Sequence, residues 1–259
     1  MFAILLYHGI DSGETWERRL DPTDREYVLS RERFEEHIAY LHRHRIPVLS
    51  LNECVKRRDD ARVPVVLTFD DGDRSCYTTA APILEQYGFR GEFFVVSRWI
   101  DQPGFLTREH LRDLIRRGHC VHSHSRSHAR LSEIDTAAIA AEVVGSKSEI
   151  EAMIEQPVRY FSVPGGAYDE RVLDAARRAG YAGVLNSVEG YNDGQRTSFV
   201  LRRFTARAHT RVRTLAATCE WHRYTVACVA VKHGAIATVR RMVGGPVYER
   251  LRGMVIRLK

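Results

Sequence analysis

The feature that most constrains the fold is a regular alternation of short apolar runs with segments of helical periodicity. No long linker interrupts this alternation, and there is no internal repeat or low-complexity segment. Short buried strands that alternate with helices build βα units and a mainly parallel sheet. We therefore predict an α/β fold with one barrel-like domain over residues 1–210. The predicted strands are residues 2–7, 47–49, 65–69, 92–96, 119–123, 160–163, 183–186 and 200–204.

The helices between these strands are predicted from the spacing of their apolar residues. Phe34, Ile38 and Leu41 lie at intervals of four and three, so they share one face of a helix over residues 30–44. A second helix over residues 107–117 begins after the capping residue Thr107. The other predicted helices are residues 50–56, 75–87, 135–155 and 169–179.

Composition and cysteine usage indicate a protein of a reducing compartment. The chain has 259 residues, 44% hydrophobic and 28% charged, which is ordinary for a globular protein. Its five cysteines are odd in number and form no CxxC pair, which argues against a disulfide framework and against a cysteine zinc site. The apolar run at the N-terminus is short and lacks a basic flank, which predicts a first strand and not a signal peptide. We therefore expect a cytoplasmic protein.

Positive charge is concentrated at the C-terminus. The chain has a net charge of +6, while residues 211–259 hold ten Lys or Arg and two Asp or Glu, so the other residues carry −2. We predict that 211–259 form a basic, helical C-terminal extension. Such a segment can contact lipid phosphates at the inner membrane face, a lipid-linked substrate or nucleic acid, or can be an ordinary solvated helix face. No nucleic-acid-binding module accompanies it, so we expect no specific nucleic-acid partner.

Two adjacent carboxylates follow the predicted strand 65–69. Asp70 and Asp71 lie where a buried strand ends and a turn begins, the place where α/β enzymes keep their catalytic groups. Side chains alternate across a strand, so the two carboxylates point in different directions. One can bind a metal ion while the other faces a water molecule.

A histidine pair follows the predicted strand 119–123. His124 and His128 are four residues apart, so a turn or short helix there places both imidazoles on one side. Two imidazoles and the Asp71 carboxylate make the three-ligand set of a catalytic zinc site. Asp70 would then accept the proton of an activated water. His119 and His122 lie in the same segment, so some of its histidines are incidental.

These motifs resemble those of the NodB-like polysaccharide deacetylases, carbohydrate esterase family four. The pair Tyr7-His8 after the first strand resembles deacetylases of the exopolysaccharide-pathway type. Residues 68–72 match the family motif TFDDG in full, and His124 and His128 match the motif H-S/T-x-x-H. The resemblance covers about residues 4–204 and implies a deformed (β/α) barrel with its site at the strand C-termini. It implies that Asp70 is the catalytic base and that Asp71, His124 and His128 bind a divalent metal. Zinc suits these ligands, and cobalt, nickel or manganese are possible.

The third family motif, R-x-P-x-G, is incomplete. Pro164 and Gly166 match, but Ser162 replaces the arginine that orients the catalytic aspartate in the family. Serine cannot supply a bidentate guanidinium, so we predict that Arg203 reaches in from a later strand. Pro164, Gly165 and Gly166 are predicted to contact substrate, because glycine lets the backbone approach a ligand closely. A simple turn is the alternative.

The family's histidine general acid is also not evident. Its L-x-L-H motif is absent, and His209 is the candidate by order in the chain, with a surface histidine as the alternative. His8 follows the first strand and is predicted to contact substrate or to hydrogen-bond a neighbour. Trp99, Tyr168 and Tyr191 are loop aromatics that could stack on a sugar or belong to the core.

The sequence therefore predicts a metal-dependent hydrolase that removes N-acetyl groups from an amino sugar of a saccharide or glycan precursor. A lipid-linked precursor is consistent with the basic extension. Hydrolysis of a non-sugar amide or formamide on the same scaffold is one alternative. A catalytically impaired carbohydrate-binding homologue is the other.

Overall fold

Eight parallel strands form one curled sheet in the computed structural model, which describes residues 1–11, 24–56, 63–193 and 198–219. Their order across the sheet is β10-β1-β4-β5-β6-β7-β8-β9, and every pair is parallel. The strands are β1 (Ala3–Tyr7), β4 (Val65–Phe69), β5 (Glu92–Val95), β6 (Cys120–Ser123), β7 (Tyr160–Ser162), β8 (Gly183–Leu185), β9 (Val200–Leu201) and β10 (Phe204–Thr205). A second, two-stranded sheet pairs β2 (Ile10–Asp11) with β3 (Leu29–Ser30).

Alternation along the strands divides the core into two layers. In β4 all five residues are buried, as expected for a strand covered on both faces. Val66 belongs to a smaller cluster inside the barrel, and its neighbours Val65 and Leu67 belong to a larger one between the sheet and the helices. The inner cluster comprises Phe2, Ile4, Leu51, Cys54, Val66, Phe94, Tyr160, Leu185 and Leu201. A residue's place in this alternation therefore decides whether it faces the barrel interior.

The sheet closes because its two edge strands are neighbours in the chain. β9 and β10 lie at opposite ends of the strand order, yet only two residues, 202 and 203, separate them. A three-residue step spans at most about 11 Å, so the edges must approach each other. We call the place where β9 and β10 approach each other the seam. Asn192 bridges it, because its backbone pairs with that of Phe2 while its side chain forms hydrogen bonds with the backbone N–H and carbonyl of Arg202.

Seven helices of the described residues cover the barrel or follow it. They are α1 (Arg31–Arg43), α2 (Leu51–Lys56), α3 (Ala81–Gln86), α4 (Arg108–Arg116), α5 (Thr136–Ile154), α6 (Glu170–Arg178) and α7 (Val212–Cys219). The predicted cap is confirmed at α4, where the Thr107 hydroxyl accepts from the His110 N–H. At the start of α2 the Ser50 hydroxyl accepts from the Glu53 N–H in the same way.

Three predicted elements differ from the structure. Residues 47–49 contribute only a single bridge, from Val48 to Val65. The predicted strand 200–204 is two strands, because the chain crosses the seam there. The predicted helix 75–87 starts as a π-helical turn, Cys76–Ala80, before α3, and Pro82 supplies no backbone N–H at that point.

The start of the predicted C-terminal extension packs on the barrel. Leu215 and Cys219 of α7 join the outer core cluster, and the carbonyl of Thr210 bonds the buried imidazole of His37 on α1. Residues 220–259, most of the basic extension, lie outside the described residues, and the domain boundary near residue 210 stays a prediction. None of the helices in the described part of the chain has the length and apolar character needed to span a bilayer.

Candidate functional site

The end of β4 brings two carboxylates to the mouth of the barrel. Asp70 continues the inward-facing positions of β4, and its N–H donates to the carbonyl of Tyr7 on β1. Asp71 then adopts a left-handed backbone with φ 74°, and Gly72 follows with φ 79°. A positive φ is costly for a residue with a side chain and is often retained at functional sites. It turns the chain so that the second carboxylate also stays at the barrel mouth.

Asp70 is held by a buried arginine, as predicted from the sequence. Arg203 is fully buried at the seam, and its Nη1 and Nη2 donate to Oδ1 and Oδ2 of Asp70, each at 2.8 Å. The Ser162 hydroxyl donates to Asp70 Oδ2 at 2.8 Å and accepts from Arg203 Nη2 at 2.9 Å. Arg203 Nε donates to the carbonyl of Asn186 at 2.9 Å. Ser162 therefore joins the arginine in binding the carboxylate.

His124, His128 and Asp71 converge on one point. Asp71 Oδ1 lies 3.4 Å from His124 Nε2 and 3.5 Å from His128 Nε2. The His124 Nδ1 lies 2.9 Å from the carbonyl of Ser162, an acceptor only, so Nδ1 carries a proton and Nε2 faces the carboxylates. Asp70 Oδ2 is 3.8 Å from the same Nε2, so it borders the group. One potential ligand atom from each of the three lies within 4.8 Å of the others.

Burial and charge act against each other in this cluster. Burial is the largest single effect on Asp70 and opposes its ionisation, but the charges of Arg203 and His124 and the hydrogen bonds from Arg203 together outweigh it and lower the pKa of the carboxyl. For Asp71, burial is likewise outweighed by the His124 hydrogen bond and nearby imidazoles, which hold its pKa well below the usual range. Burial lowers the pKa of His128 to about 4, whereas the two carboxylates raise the pKa of His124 despite its burial. The cluster thus favours negative carboxylates facing one neutral imidazole, His128.

The loop that carries the histidines is a tight turn held from outside by α5. Glu142 accepts from the N–H groups of Arg126 and Ser127 at 2.9 and 2.8 Å, and from the Ser127 hydroxyl at 2.6 Å. Glu149 accepts from Arg126 Nε at 2.7 Å and from the Ser97 hydroxyl. Sequence reasoning missed both glutamates, because nothing distinguishes them from other charged residues on a long helix.

His8 lies beside the carboxylates with one nitrogen unused. Its Nδ1 is buried and has no hydrogen-bond partner among the described residues. Burial lowers the pKa of His8, and the charges of Asp71 and Asp70 oppose that shift. The ring packs 5.0 Å from that of Tyr27. Of the two roles expected for His8, a hydrogen bond to a neighbour does not occur at this nitrogen.

The loop after β7 offers exposed backbone at the same end of the barrel. Pro164 is buried, whereas Gly165 is exposed and has φ 63°. A Cβ on Gly166, at φ 70°, would lie 2.8 Å from the side chain of Ser187 and 2.9 Å from its backbone nitrogen. Glycine at 166 thus permits a close packing of two loops.

The other candidates divide between the site and the core. The ring of Trp99 lies 5.2 Å from that of His128. Tyr191 is structural, since its hydroxyl donates to the carbonyl of Thr218, and Tyr168 packs against the outer core.

His209 is exposed in the turn before α7, and no hydrogen bond or ion pair in the described ranges joins it to the cluster. The structure does not bring His209 to Asp70.

The part of the chain that holds the cluster matches a protein-family model. Residues 57–184 match the family model described as polysaccharide deacetylase. This segment includes both carboxylates and both histidines of the cluster.

Curated relatives include enzymes with related names. A protein of Bacillus subtilis (strain 168), YxkH, whose name places it among the polysaccharide deacetylases, is 27% identical over 204 residues, 77% of this chain and 69% of the relative. The peptidoglycan-N-acetylglucosamine deacetylase of Bacillus cereus is 27% identical over 122 residues, 47% of this chain and 55% of the relative. The poly-beta-1,6-N-acetyl-D-glucosamine N-deacetylase of Staphylococcus aureus (strain MSSA476) is 22% identical over 171 residues, 60% of this chain and 59% of the relative. The chain thus spans little more than half the length of the last two.

Solved structures share the fold. The deacetylase PplD of Streptococcus pyogenes, in complex with acetate, superposes with a TM-score of 0.74 at 22% identity, covering 85% of this chain and 98% of that one. IcaB from Ammonifex degensii superposes with a TM-score of 0.70 at 19% identity, covering 85% and 97%. At these identities the likeness concerns the fold, and it confirms the predicted deformed barrel.

Proposed function

Because the chain belongs to the polysaccharide deacetylase family through residues 57–184, we propose that it is a metal-dependent hydrolase that removes N-acetyl groups from a saccharide. The observation that carries this proposal is the position of Asp70. Its carboxylate is fixed by Arg203 and Ser162 and borders a set of three potential metal ligands.

Asp71, His124 and His128 fit a divalent ion. Tetrahedral coordination at about 2.0–2.1 Å places two ligand atoms about 3.3–3.4 Å apart. The separations of 3.4 and 3.5 Å between the Asp71 oxygen and the two imidazole nitrogens agree with this value. The hydrogen bond from His124 Nδ1 to Ser162 leaves Nε2 as the ligand atom. One oxygen and two nitrogen donors suit zinc, and also cobalt, nickel or manganese.

Asp70 is the proposed general base. A divalent ion bound beside it would supply Lewis acidity to a water molecule and to the amide carbonyl. Asp70 takes the proton from the attacking water. Its two oxygens are already oriented by the paired hydrogen bonds from Nη1 and Nη2 of Arg203, which we call the Arg203 fork. The arginine keeps the carboxylate ionised but reduces its basicity, because it lowers the pKa. Arg203 and Ser162 are therefore positioning residues in this proposal.

Proton delivery to the leaving amine is assigned to Asp70 as well. Asp70 can return the proton that it accepted, since it borders the reacting centre throughout. His209 was the candidate by order in the chain, but it is exposed and makes no contact with the cluster. His8 is proposed as a substrate contact, because its buried Nδ1 has no partner among the described residues.

The substrate is proposed to be an N-acetylglucosamine oligomer or polymer. Two relatives are named for N-acetylglucosamine polymers, which share the acetamido group that this site would cleave. The flat ring of Trp99 beside His128 offers a stacking surface for a sugar, and Pro164, Gly165 and Gly166 border the same end of the barrel. A lipid-linked substrate and contact with a membrane rest on the basic extension alone, which lies mostly outside the described residues.

The alternatives are weakened to different degrees. The impaired homologue was favoured by the missing motif arginine, and Arg203 supplies that guanidinium from another strand. Hydrolysis of a non-sugar amide would use the same residues, so only a substrate comparison separates it from sugar deacetylation.

The test is acetate release from acetylated glucosamine oligomers, with metal content measured on the same samples. We expect activity in the wild type, loss of activity on chelation and recovery on reloading with zinc or cobalt. Asp70→Asn should keep the metal and lose activity, while Asp174→Asn, an exposed aspartate on α6, serves as the matched control and should behave as wild type. Equal rates for Asp70→Asn and wild type would contradict the proposal. Faster release of formate from simple formamides would favour the non-sugar alternative.

A further inference from the structure

A second group of potential metal ligands lies inside the barrel, away from Asp70 and Asp71. Glu92 is the first residue of β5 and Cys120 the first of β6, and the two are paired in register. His122 follows two residues later, so its side chain points to the same face of β6 as Cys120. One potential ligand atom from each residue lies within 4.8 Å of the others. We call this group the lower cluster.

The contacts of the lower cluster are incomplete. Glu92 Oε1 accepts from the N–H of Leu51 at 2.8 Å, and Oε2 lies 2.6 Å from His122 Nε2. The side chains of Glu92 and His122 are each only 4% exposed. The second nitrogen of His122, Nδ1, is buried and has no hydrogen-bond partner in the described part of the chain. A buried polar atom without a partner is rare in native proteins and calls for a ligand or another explanation.

A cavity gives access to this end of the barrel. It has a volume of about 450 Å³, and its walls include Glu92, Cys120, Ser50 and Arg90. Two of the three potential ligands therefore face space that is continuous with solvent. An ion can enter there, and water can complete its coordination.

We propose that Glu92, Cys120 and His122 form a second binding site, for a soft divalent cation such as zinc. Zinc binds thiolate, imidazole and carboxylate ligands, which are the three groups present. On binding, the Cys120 thiol releases its proton to solvent, so one thiolate, one carboxylate and a neutral imidazole balance the two positive charges of the ion. This neutrality matters because an unbalanced charge in the barrel interior is costly. His122 Nε2, which faces the Glu92 carboxylate, is the nitrogen that meets the ion, and the ion replaces the present hydrogen bond between Nε2 and Glu92 Oε2.

The two sites cannot share one ion. Cys120 is the first residue of β6 and His124 follows its last, four residues further on, which is about 13 Å of extended chain. The lower cluster also contains sulfur, whereas Asp71, His124 and His128 offer only oxygen and nitrogen. This chemical difference makes the second site observable without any measurement of hydrolysis.

The test is a titration of the metal-free full chain with Co²⁺, followed by absorption spectroscopy and metal analysis. A thiolate ligand gives a sulfur-to-cobalt charge-transfer band in the near ultraviolet, which the oxygen and nitrogen site cannot produce. We expect two equivalents of cobalt and this band in the wild type. Cys120→Ser should lose the band and one equivalent, and Asp71→Asn should lose one equivalent and keep the band. Cys219→Ser, a buried cysteine on α7, is the matched control and should keep both.

One equivalent of cobalt without the band in the wild type would overturn the proposal, and this measurement needs no variant to fold. Retention of the band in folded Cys120→Ser would overturn it too. Because none of these readouts depends on acetate release, failure of the lower cluster and failure of the proposed deacetylase activity are distinguishable.

Discussion

Removal of the Arg203 guanidinium is the most informative single perturbation of the site. In Arg203→Ala, Asp70 loses both 2.8 Å hydrogen bonds of the fork and keeps only the one from the Ser162 hydroxyl. Both Asp70 and Arg203 are almost fully buried, so water cannot replace the lost partner. Breaking one side of a buried ion pair costs about 3–5 kcal/mol, because it leaves an uncompensated charge.

The same change alters the protonation of Asp70. Burial alone raises the pKa of this carboxyl, and the charge of Arg203 is the largest opposing effect. The low folded-state pKa of Asp70 stabilises the wild type at pH values above the unfolded-state pKa, about 3.9, and this stability is lost as the pH falls through the folded-state value. Arg203→Ala should therefore show its largest stability deficit near neutral pH, and the deficit should shrink in acid.

Urea denaturation as a function of pH measures the deficit, and the pH profile of acetate release follows Asp70 itself. We expect the acidic limb of kcat to move to higher pH in Arg203→Ala. Arg203→Lys should recover part of the stability but little activity, because an ammonium cannot form the two-pronged bond. The neighbouring Arg202→Ala, an exposed site, is the matched control. If Arg203→Ala matched Arg202→Ala in both stability and pH profile, the assigned role of the arginine would be wrong.

Three further predictions concern the surroundings of the site. Glu142→Ala leaves the N–H groups of Arg126 and Ser127 without their acceptor. Metal affinity, measured by competition with a chelator, should therefore fall about 10–100-fold. The affinity of Glu142→Gln should lie between those of the wild type and Glu142→Ala. Burial lowers the pKa of His37 to about 4 in the folded protein. As the pH falls, the unfolded chain therefore protonates this imidazole before the folded protein does, and protonation favours unfolding. Through His37 alone, the wild type should be roughly 2 kcal/mol less stable at pH 5 than at pH 7. His37→Gln should remove that part of the pH dependence in urea denaturation. Gly166→Ala should lower the melting temperature more than Gly165→Ala, because both have positive φ but only a Cβ at 166 meets a neighbour within 4 Å; equal melting temperatures would contradict this.

The central elements of the site could be predicted because each of them directly follows a recognisable buried strand. The strand β4 was predicted with the bounds that the structure shows, because a short apolar run followed by two aspartates indicates a buried strand that ends at the first aspartate. Asp71, His124 and His128 were predicted to converge for the same reason, since parallel strands end at one edge of the sheet. The distinction between Asp70 as base and Asp71 as ligand, which the residues and the family motifs both predict, stays a proposal.

Features that depend on closure of the barrel were harder to predict. Arg203 was a candidate from its position in the chain, but its fork on Asp70 exists only because β9 and β10 meet at the seam. The same seam splits the strand predicted over residues 200–204. Glu142 bonds the N–H groups of Arg126 and Ser127, which lie 16 and 15 residues earlier in the chain, and no local sequence pattern predicts these contacts. His122 was set aside as incidental, although its alternation with Cys120 on a buried strand could have placed both inside the barrel.

Anomalous X-ray scattering from crystals of the zinc-loaded protein tests the central claim most directly. The account predicts a zinc peak within bonding distance of Asp71 Oδ1, His124 Nε2 and His128 Nε2, with Asp70 adjacent and still bonded to Arg203. An anomalous map without a peak among these three side chains, obtained from protein that releases acetate, would contradict it.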